Sequence, residues 1–185
     1  MEGDTQMNAS LQGDFKINGL SLRSFVNLSP LEAEEVRRWR NHPEIRRFMY
    51  NDREIDSIEH IQFIESLRES SHSGYWVVHE ENRPLGTLSL TRFNPLHHHA
   101  FLGIYANPFD STKGRGKRLM EALLALSFSH FGLHTLKLEV MEENERAITL
   151  YETMGFVREG CWRDYIFKEG RYRSILLMGI LNETL

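Results

Sequence analysis

Apolar positions along the chain change spacing in an orderly way, and the changes mark out elements. Over residues 15–27, Phe, Ile, Leu and Val recur every second or third position around Asn18-Gly19, which predicts a bent strand or hairpin. Ser29-Pro30-Leu31-Glu32 then reads as a capping box with proline at the first helical position, opening a helix that ends near Asn41, ahead of Pro43. A second helical stretch is expected over 44–50. A third starts at Asp56, where Ile58, Ile61, Ile64 and Leu67 make an apolar stripe with His60 and Phe63 beside it. Residues 75–80 and 85–93, joined by Glu81-Asn82-Arg83-Pro84, read as an antiparallel hairpin, and 100–107 as a further strand stopped by Pro108. The helical run 117–131, the alternating strand 135–141, the helical stretch 144–154 and a last hairpin, 156–168 with 172–181 turning at Glu169-Gly170, complete the chain. Antiparallel strands followed by one β-α-β crossover predict an α+β fold, a mixed sheet with helices packed on it.

Composition narrows the possibilities. The 185 residues, 41% hydrophobic and 26% charged, suit one domain with one sizeable core. A single domain is expected over 14–185, with a polar, mobile segment over 1–13. Twenty-two Lys plus Arg against 26 Asp plus Glu give a formal charge of -4. That balance argues against a nucleic-acid partner. Cys161 is the sole cysteine, which excludes an internal disulfide framework and any multi-thiolate metal site. No apolar run approaches a membrane span and no signal peptide is visible, so the expected compartment is the cytoplasm.

The candidate chemistry lies in the crossover. Strand residues Leu102-Gly103-Ile104-Tyr105-Ala106-Asn107 feed Lys113-Gly114-Arg115-Gly116-Lys117-Arg118, where a glycine-containing loop opens a helix. Backbone amides at such a helix start can hold a phosphate, and the basic neighbours add charge to the same spot. Neither a Walker loop nor the dinucleotide G-x-G-x-x-G pattern is present. After the next strand comes Asn144-Glu145-Arg146-Ala147-Ile148-Thr149-Leu150-Tyr151-Glu152-Thr153-Met154-Gly155-Phe156.

A G-x-G helix start, a strand, and then N-x-x-A-x-x-L-Y-E-x-x-G-F resemble the Gcn5-related N-acetyltransferase (GNAT) superfamily. The resemblance implies a central mixed sheet of about seven strands flanked by about four helices. Two parallel strands, 100–107 and 135–141, would splay apart around acetyl-CoA, with no metal. Lys113, Gly114, Arg115, Gly116 and Lys117 would cradle its pyrophosphate. Family members usually carry Gln or Arg three residues before the first glycine, whereas this chain has Ser111. Backbone N–H groups at Ile104, Tyr105 and Ala106 would meet the developing oxyanion, and Asn144 would bond the pantetheine or anchor its helix. The Tyr151 hydroxyl would protonate the departing thiolate, since an unperturbed phenol with a pKa of about 10 keeps its proton at neutral pH. Glu139, mid-strand and opposite the Leu136, Leu138, Val140 face, would be a base acting through water or a salt-bridge partner. Without the resemblance, Tyr151 reads as a core aromatic and Asn144 as an N-cap.

The N-terminal half must supply the acceptor side. Arg40-Asn41-His42-Pro43, Met49-Tyr50, Asn107-Pro108-Phe109 and Leu138-Glu139-Val140-Met141-Glu142 are similar to GNAT enzymes of pseudaminic acid biosynthesis, which serve flagellin glycosylation. Such enzymes acetylate the 4-amino group of UDP-4-amino-4,6-dideoxy-N-acetyl-β-L-altrosamine. This implies that Arg40 and His60 reach the nucleotide sugar, that Ser89, Thr91 and Arg92 add sugar or diphosphate contacts, and that Tyr105 lies where the two pockets meet. The plain alternatives are an Arg40 ion pair with Glu34 or Glu35, a His60 that caps its helix face, and ordinary strand residues at 89 and 91. The Trp39-Arg40-Asn41 segment also resembles enzymes that acetylate ribosomal-protein N-termini or polyamines, and a non-catalytic acetyl-CoA sensor is a third reading. His97-His98-His99 is expected to be a turn and not a metal site, and Cys161 a buried, inert thiol. Apolar residues of the last hairpin (Trp162, Tyr165, Phe167, Tyr172) leave room for a homodimer.

Overall fold

A computed structural model describes residues 10–183. Eight strands form one sheet in the order β1-β2-β3-β4-β5-β6-β8-β7. They are β1 (Phe15–Ile17), β2 (Leu20–Ser24), β3 (Gly74–Glu80), β4 (Arg83–Asn94), β5 (His99–Ala106), β6 (Thr135–Met141), β7 (Val157–Lys168) and β8 (Arg171–Leu181). Five helices accompany them: α1 (Pro30–Asn41), α2 (Pro43–Arg46), α3 (Ser57–Leu67), α4 (Arg115–Ala125) and α5 (Glu145–Thr153). The fold is α+β, as the GNAT resemblance implies, with one strand and one helix more than expected.

Alternation along the strands divides the core. Trp76, Val78, Leu88, Leu90, Leu136, Leu138 and Val140 pack with Leu119, Met120, Leu123, Ile148 and Tyr151 in the larger cluster, beneath α4 and α5. Val77, between Trp76 and Val78, turns to the opposite face and joins Phe25, Val36, Trp39, Ile64 and Leu67 beneath α1 and α3. Thr87, Ser89, Thr91, Tyr105 and Glu139 share that second face by register.

All neighbouring strands are antiparallel except β5 and β6. Their parallel ladder consists of His99↔Thr135, Ala100↔Leu136 and Phe101↔Lys137. Beyond Phe101, β5 keeps β4 as far as Ala106, and β6 keeps β8 as far as Met141, yet the two no longer touch as a ladder. A wedge opens there. Its β5 edge from Leu102 to Ala106 carries backbone groups with no ladder partner on the β6 side.

The predicted capping box is present, with Glu32 N–H donating to the Ser29 hydroxyl and Ser29 N–H to the Glu32 carboxylate. Three expectations change. Of the segment predicted to be mobile, 1–9 lie outside the described residues, but 10–13 are packed. Leu11 is buried, Gln12 donates to the carbonyls of Leu67, Ser70 and Ser73, and Trp76 Nε1 donates to the Gly13 carbonyl. The helical stretch expected over 44–50 closes after one turn, at Arg46. The buried stripe of α3 is His60, Ile64 and Leu67, while Ile58 and Ile61 stay 67% and 55% exposed. The helix is rotated because α1 lies against its His60 side.

Gly86 shows how tightly the wedge is built. Its φ is +154°, and an added Cβ would collide with the Tyr105 carbonyl, with Ala106 Cα and with a Leu119 methyl. Two of these are backbone atoms and cannot rotate away. Gly86→Ala is expected to destabilise the fold by about 1–3 kcal/mol. Equilibrium urea unfolding checks this; an unchanged midpoint would show that β4 and β5 can separate freely.

Candidate active site

The donor side is built from the end of β5, the start of α4 and α5. Gly114 caps α4 in the left-handed conformation, φ +83°, which a side chain would strain. A Cβ on Gly116 would lie 3.1 Å from Leu150 Cδ2, so the second glycine lets α4 approach α5. The amides of the first turn of α4 therefore stay uncovered. The basic residues around them divide. Lys113 is exposed, and Lys117 is 3.7 Å from Glu121. Arg115 folds back, donating to the carbonyls of Asn107 and of Thr112 (2.7 Å), so its guanidinium shapes the loop. Arg83, not singled out from the sequence, donates to Thr112 Oγ1 at 2.8 Å and pairs with Glu80, which also holds Arg118. Only the fold places β4 beside this loop.

Asn144 caps α5, its side chain accepting from Ala147 N–H at 3.3 Å. Tyr151 lies on the buried side of α5, its ring 5.9 Å from Phe156. Burial pushes its phenol pKa up to about 12, and the hydroxyl has no hydrogen-bond partner among the described residues. Its proton is thus retained and uncommitted.

The residues expected on the acceptor side lie mostly on the other face. Glu139 is 11% exposed, and both of its oxygens are occupied. Arg92 Nη1 donates to Oε1 at 2.6 Å, and the Tyr50 hydroxyl donates to Oε2 at 2.6 Å. Arg92 sits where the β4–β5 register slips, at φ +49°, with its guanidinium 4.2 Å from the Phe101 ring centroid. The bulge is what turns a residue at the strand's end back across the sheet. Burial, and then the Glu139 hydrogen bond, raise the Tyr50 pKa, so this hydroxyl stays a donor.

Tyr50 rides on a strap, residues 47–56, that crosses this face. Asn41 holds the strap twice, donating to the Ile55 carbonyl at 2.8 Å and accepting from Ile55 N–H at 2.9 Å, while Arg37 donates to the same carbonyl. Arg40 donates to the Asn51 carbonyl at 2.8 Å, and its buried Nη1 has no partner. Burial lowers the Arg40 pKa and neighbouring Tyr105 partly offsets this. Burial also pushes the Tyr105 phenol up to about 12, against a hydrogen bond with Thr87. The structure therefore brings Arg40, Tyr105, Arg92 and Glu139 to one face and adds Tyr50. Ser89 and Thr91 lie there too, their hydroxyls directed at the Gly103 and Phe101 carbonyls at 3.5 and 3.4 Å. Tyr50 stood out in the sequence only as part of a resemblance segment, because nothing local tells which strand a loop aromatic will reach.

His60 is placed differently. It is 5% exposed between α1 and α3, stacked near Phe63, and its Nε2 has no partner. That is the packing role weighed against substrate contact. Cys161 was expected to be buried and is exposed, because β7 is an edge strand with most side chains in solvent. His97 and His99 stack 6.3 Å apart, and among the described residues no group of three or more His, Cys, Asp or Glu is arranged to hold a metal.

A wedge in a mixed sheet, a glycine-capped helix beside it and a buried phenol with a free proton are features that acyl transfer can use, and residues 33–156 match the acetyltransferase (GNAT) family. The chain belongs to that family and is an N-acetyltransferase. It is 31% identical over 137 residues to the acetyltransferase PseH of Campylobacter jejuni, covering 74% of this chain and 84% of that protein. It is 27% identical over 165 residues to the spermidine N(1)-acetyltransferase of Vibrio cholerae, covering 86% and 95%. The crystal structure of the V. cholerae spermidine N-acetyltransferase with CoA and spermine superposes with a TM-score of 0.80 at 27% identity, over 88% of this chain and 95% of that one. C. jejuni PseH with acetyl coenzyme A gives 0.69 at 22% identity, over 89% and 99%. Among the described residues no helix is long and apolar enough to cross a membrane.

Burial sets the His60 pKa below its ordinary 6.5, outweighing the Ala33 backbone and Glu34, which act the other way. The folded state then binds fewer protons than the unfolded chain, so stability is lost as pH falls below about 6.5. His79 is lowered in the same direction, also by burial. In His60→Leu the drop in urea midpoint between pH 7.5 and 5.5 should shrink without vanishing; an undiminished drop would mean that His60 is not held neutral.

Proposed function

We propose that this enzyme uses acetyl-CoA to acetylate the 4-amino group of UDP-4-amino-4,6-dideoxy-N-acetyl-β-L-altrosamine in pseudaminic acid biosynthesis, in the cytoplasm. The observation that carries this reading is the charge of the acceptor face. Its central carboxylate, Glu139, is matched by Arg92, and the half-buried Arg40 keeps an unused Nη1 beside Tyr105. Such a face suits an acceptor that brings phosphates, with Arg40 and Arg92 as its anchors and Ser89, Thr91 and Tyr105 lining the sugar. The 31% identity to PseH supports the same choice.

In this reading the pyrophosphate of acetyl-CoA lies on the amides of Gly114 to Lys117, with Lys113 adding charge, and the pantetheine fills the open edge of β5 near Asn144. The neutral amine attacks the thioester carbonyl, and N–H groups of Ile104 to Ala106 stabilise the oxyanion. As the C–S bond breaks, Tyr151 gives its proton to the sulfur. The surplus amine proton leaves to Glu139 by way of water or the Tyr50 hydroxyl. Tyr151 and Glu139 belong to opposite faces of the sheet, so the gap between β5 and β6 is where both can approach one acetyl group. Exposed Tyr165, Phe167 and Tyr172 of the last hairpin support a homodimer.

The second reading, a polyamine acceptor, is supported by the 0.80 superposition on the spermidine enzyme. It requires acidic groups where this chain offers Arg40 and Arg92. Release of CoA thiol, measured with the sugar nucleotide and with spermidine in parallel, separates the two. Turnover of spermidine alone overturns the proposal. Tyr151→Phe is expected to lower kcat about 100-fold or more while acetyl-CoA binding, followed by calorimetry, is retained. A variant with full kcat would remove Tyr151 from the chemistry.

A further inference from the structure

Lys168, at the end of β7, is 4% exposed. Its three ammonium donors are all used on backbone carbonyls more than 100 residues away: Arg46 at 3.1 Å, Arg47 at 2.6 Å and Met49 at 2.8 Å. No carboxylate lies within ion-pair distance of Nζ among the described residues. Helix α2 lasts one turn; the Arg46 carbonyl also accepts from Met49 N–H, whereas no backbone N–H among the described residues donates to the Arg47 and Met49 carbonyls. The ammonium gives those two carbonyls their donor and adds a second one to Arg46, at the end where the helix is partly negative. Met49 directly precedes Tyr50, whose hydroxyl holds Glu139.

We infer that Lys168 is a positioning residue for the acceptor site, holding the strap so that Tyr50 stands over Glu139. It touches no reacting atom. Its effect passes through the Met49 carbonyl to Tyr50, and from Tyr50 to the Glu139–Arg92 pair. Arg40 at Asn51 and Asn41 at Ile55 fix the strap beyond Tyr50, so Lys168 supplies the hold on the near side. Removing the ammonium leaves the Arg47 and Met49 carbonyls in a closed space without a donor and takes one of two donors from Arg46, and the strap's lowest-energy response is to lift them into water. Burial lowers the Lys168 pKa, with Asp52 and Glu169 acting in the opposite sense. The turn of the last hairpin thereby reaches the acceptor half. Arg173, buried beside it, pairs with Glu143 just ahead of α5 and with Glu169 in the turn.

The inference rests on the acceptor face described above, and its test has one arm that does not. In Lys168→Met, hydrogen exchange followed by mass spectrometry should show faster exchange over 46–56 while β4, β5 and β6 keep their protection. Kinetics should show the acceptor KM rising about tenfold or more, the factor expected from losing one charge-assisted hydrogen bond, with the acetyl-CoA KM unchanged. In a Tyr50→Phe background the same substitution should add little to the acceptor KM, because the pathway has already been cut. Lys168→Gln, which keeps a donor, is the second variant should the methionine form fail to fold, with the same signature expected at smaller size. Unchanged exchange over 46–56 overturns the inference, as does an acetyl-CoA KM that rises in step with the acceptor KM. Should the wild-type enzyme turn over neither acceptor, the acceptor assignment fails and the exchange arm alone decides whether Lys168 holds the strap.

Discussion

The parting of β5 and β6 is the constraint on which the remaining features depend. A parallel pair can be joined only by a crossover, and here the crossover is α4, whose start must lie at the mouth of the wedge. That places a glycine-capped helix end beside unpaired strand edges without further design. It also gives the sheet two plates, β1 to β5 and β6 to β8 with β7, held at one end by a short ladder and along one face by the larger core. The tight approach at Gly86 belongs to the same economy, since Tyr105 and Leu119 must both come close for the wedge to keep its angle.

The proposed acceptor face shows how a charged group can be kept inside such a sheet. Glu139 is nearly closed off, and a carboxylate there is tolerable because an arginine and a phenol meet its two oxygens. Both partners come from irregular backbone, Arg92 from a bulge and Tyr50 from a strap. A regular strand supplies the carboxylate and irregular segments supply the two groups that hold it. The strap holds its course through hydrogen bonds to its carbonyls from Arg37, Arg40, Asn41 and Lys168, so ordering does not depend on an apolar core of its own.

Features written in local sequence were legible before the structure. The capping box at Ser29 and Glu32, the turn at Glu169-Gly170 and the glycine-opened helix at Gly114 depend on neighbours a few residues apart. The family was readable for the same reason, from two short motifs flanking one strand. The α3 stripe was misjudged because periodicity marks two candidate faces when His60 and Ile64 lie beside Ile58 and Ile61, and only the position of α1 decides between them. The exposure of Cys161 follows from strand order, since β8 inserts between β6 and β7 and leaves β7 at the edge. The hold of Lys168 on α2 spans more than 100 residues and has no counterpart in any local pattern. Arg115, expected at a phosphate, is directed at loop carbonyls, a distinction that residue type alone does not carry.

The exposed Cys161 thiol has a practical consequence. A reaction that frees a thiol from its donor is followed most directly with a thiol-reactive dye, and each chain here presents one exposed thiol of its own. Mixing enzyme and dye before any substrate is added should therefore give a signal of one equivalent per chain. That baseline counts the protein molecules in the cuvette, and every turnover read afterwards can be expressed against it without a separate concentration measurement.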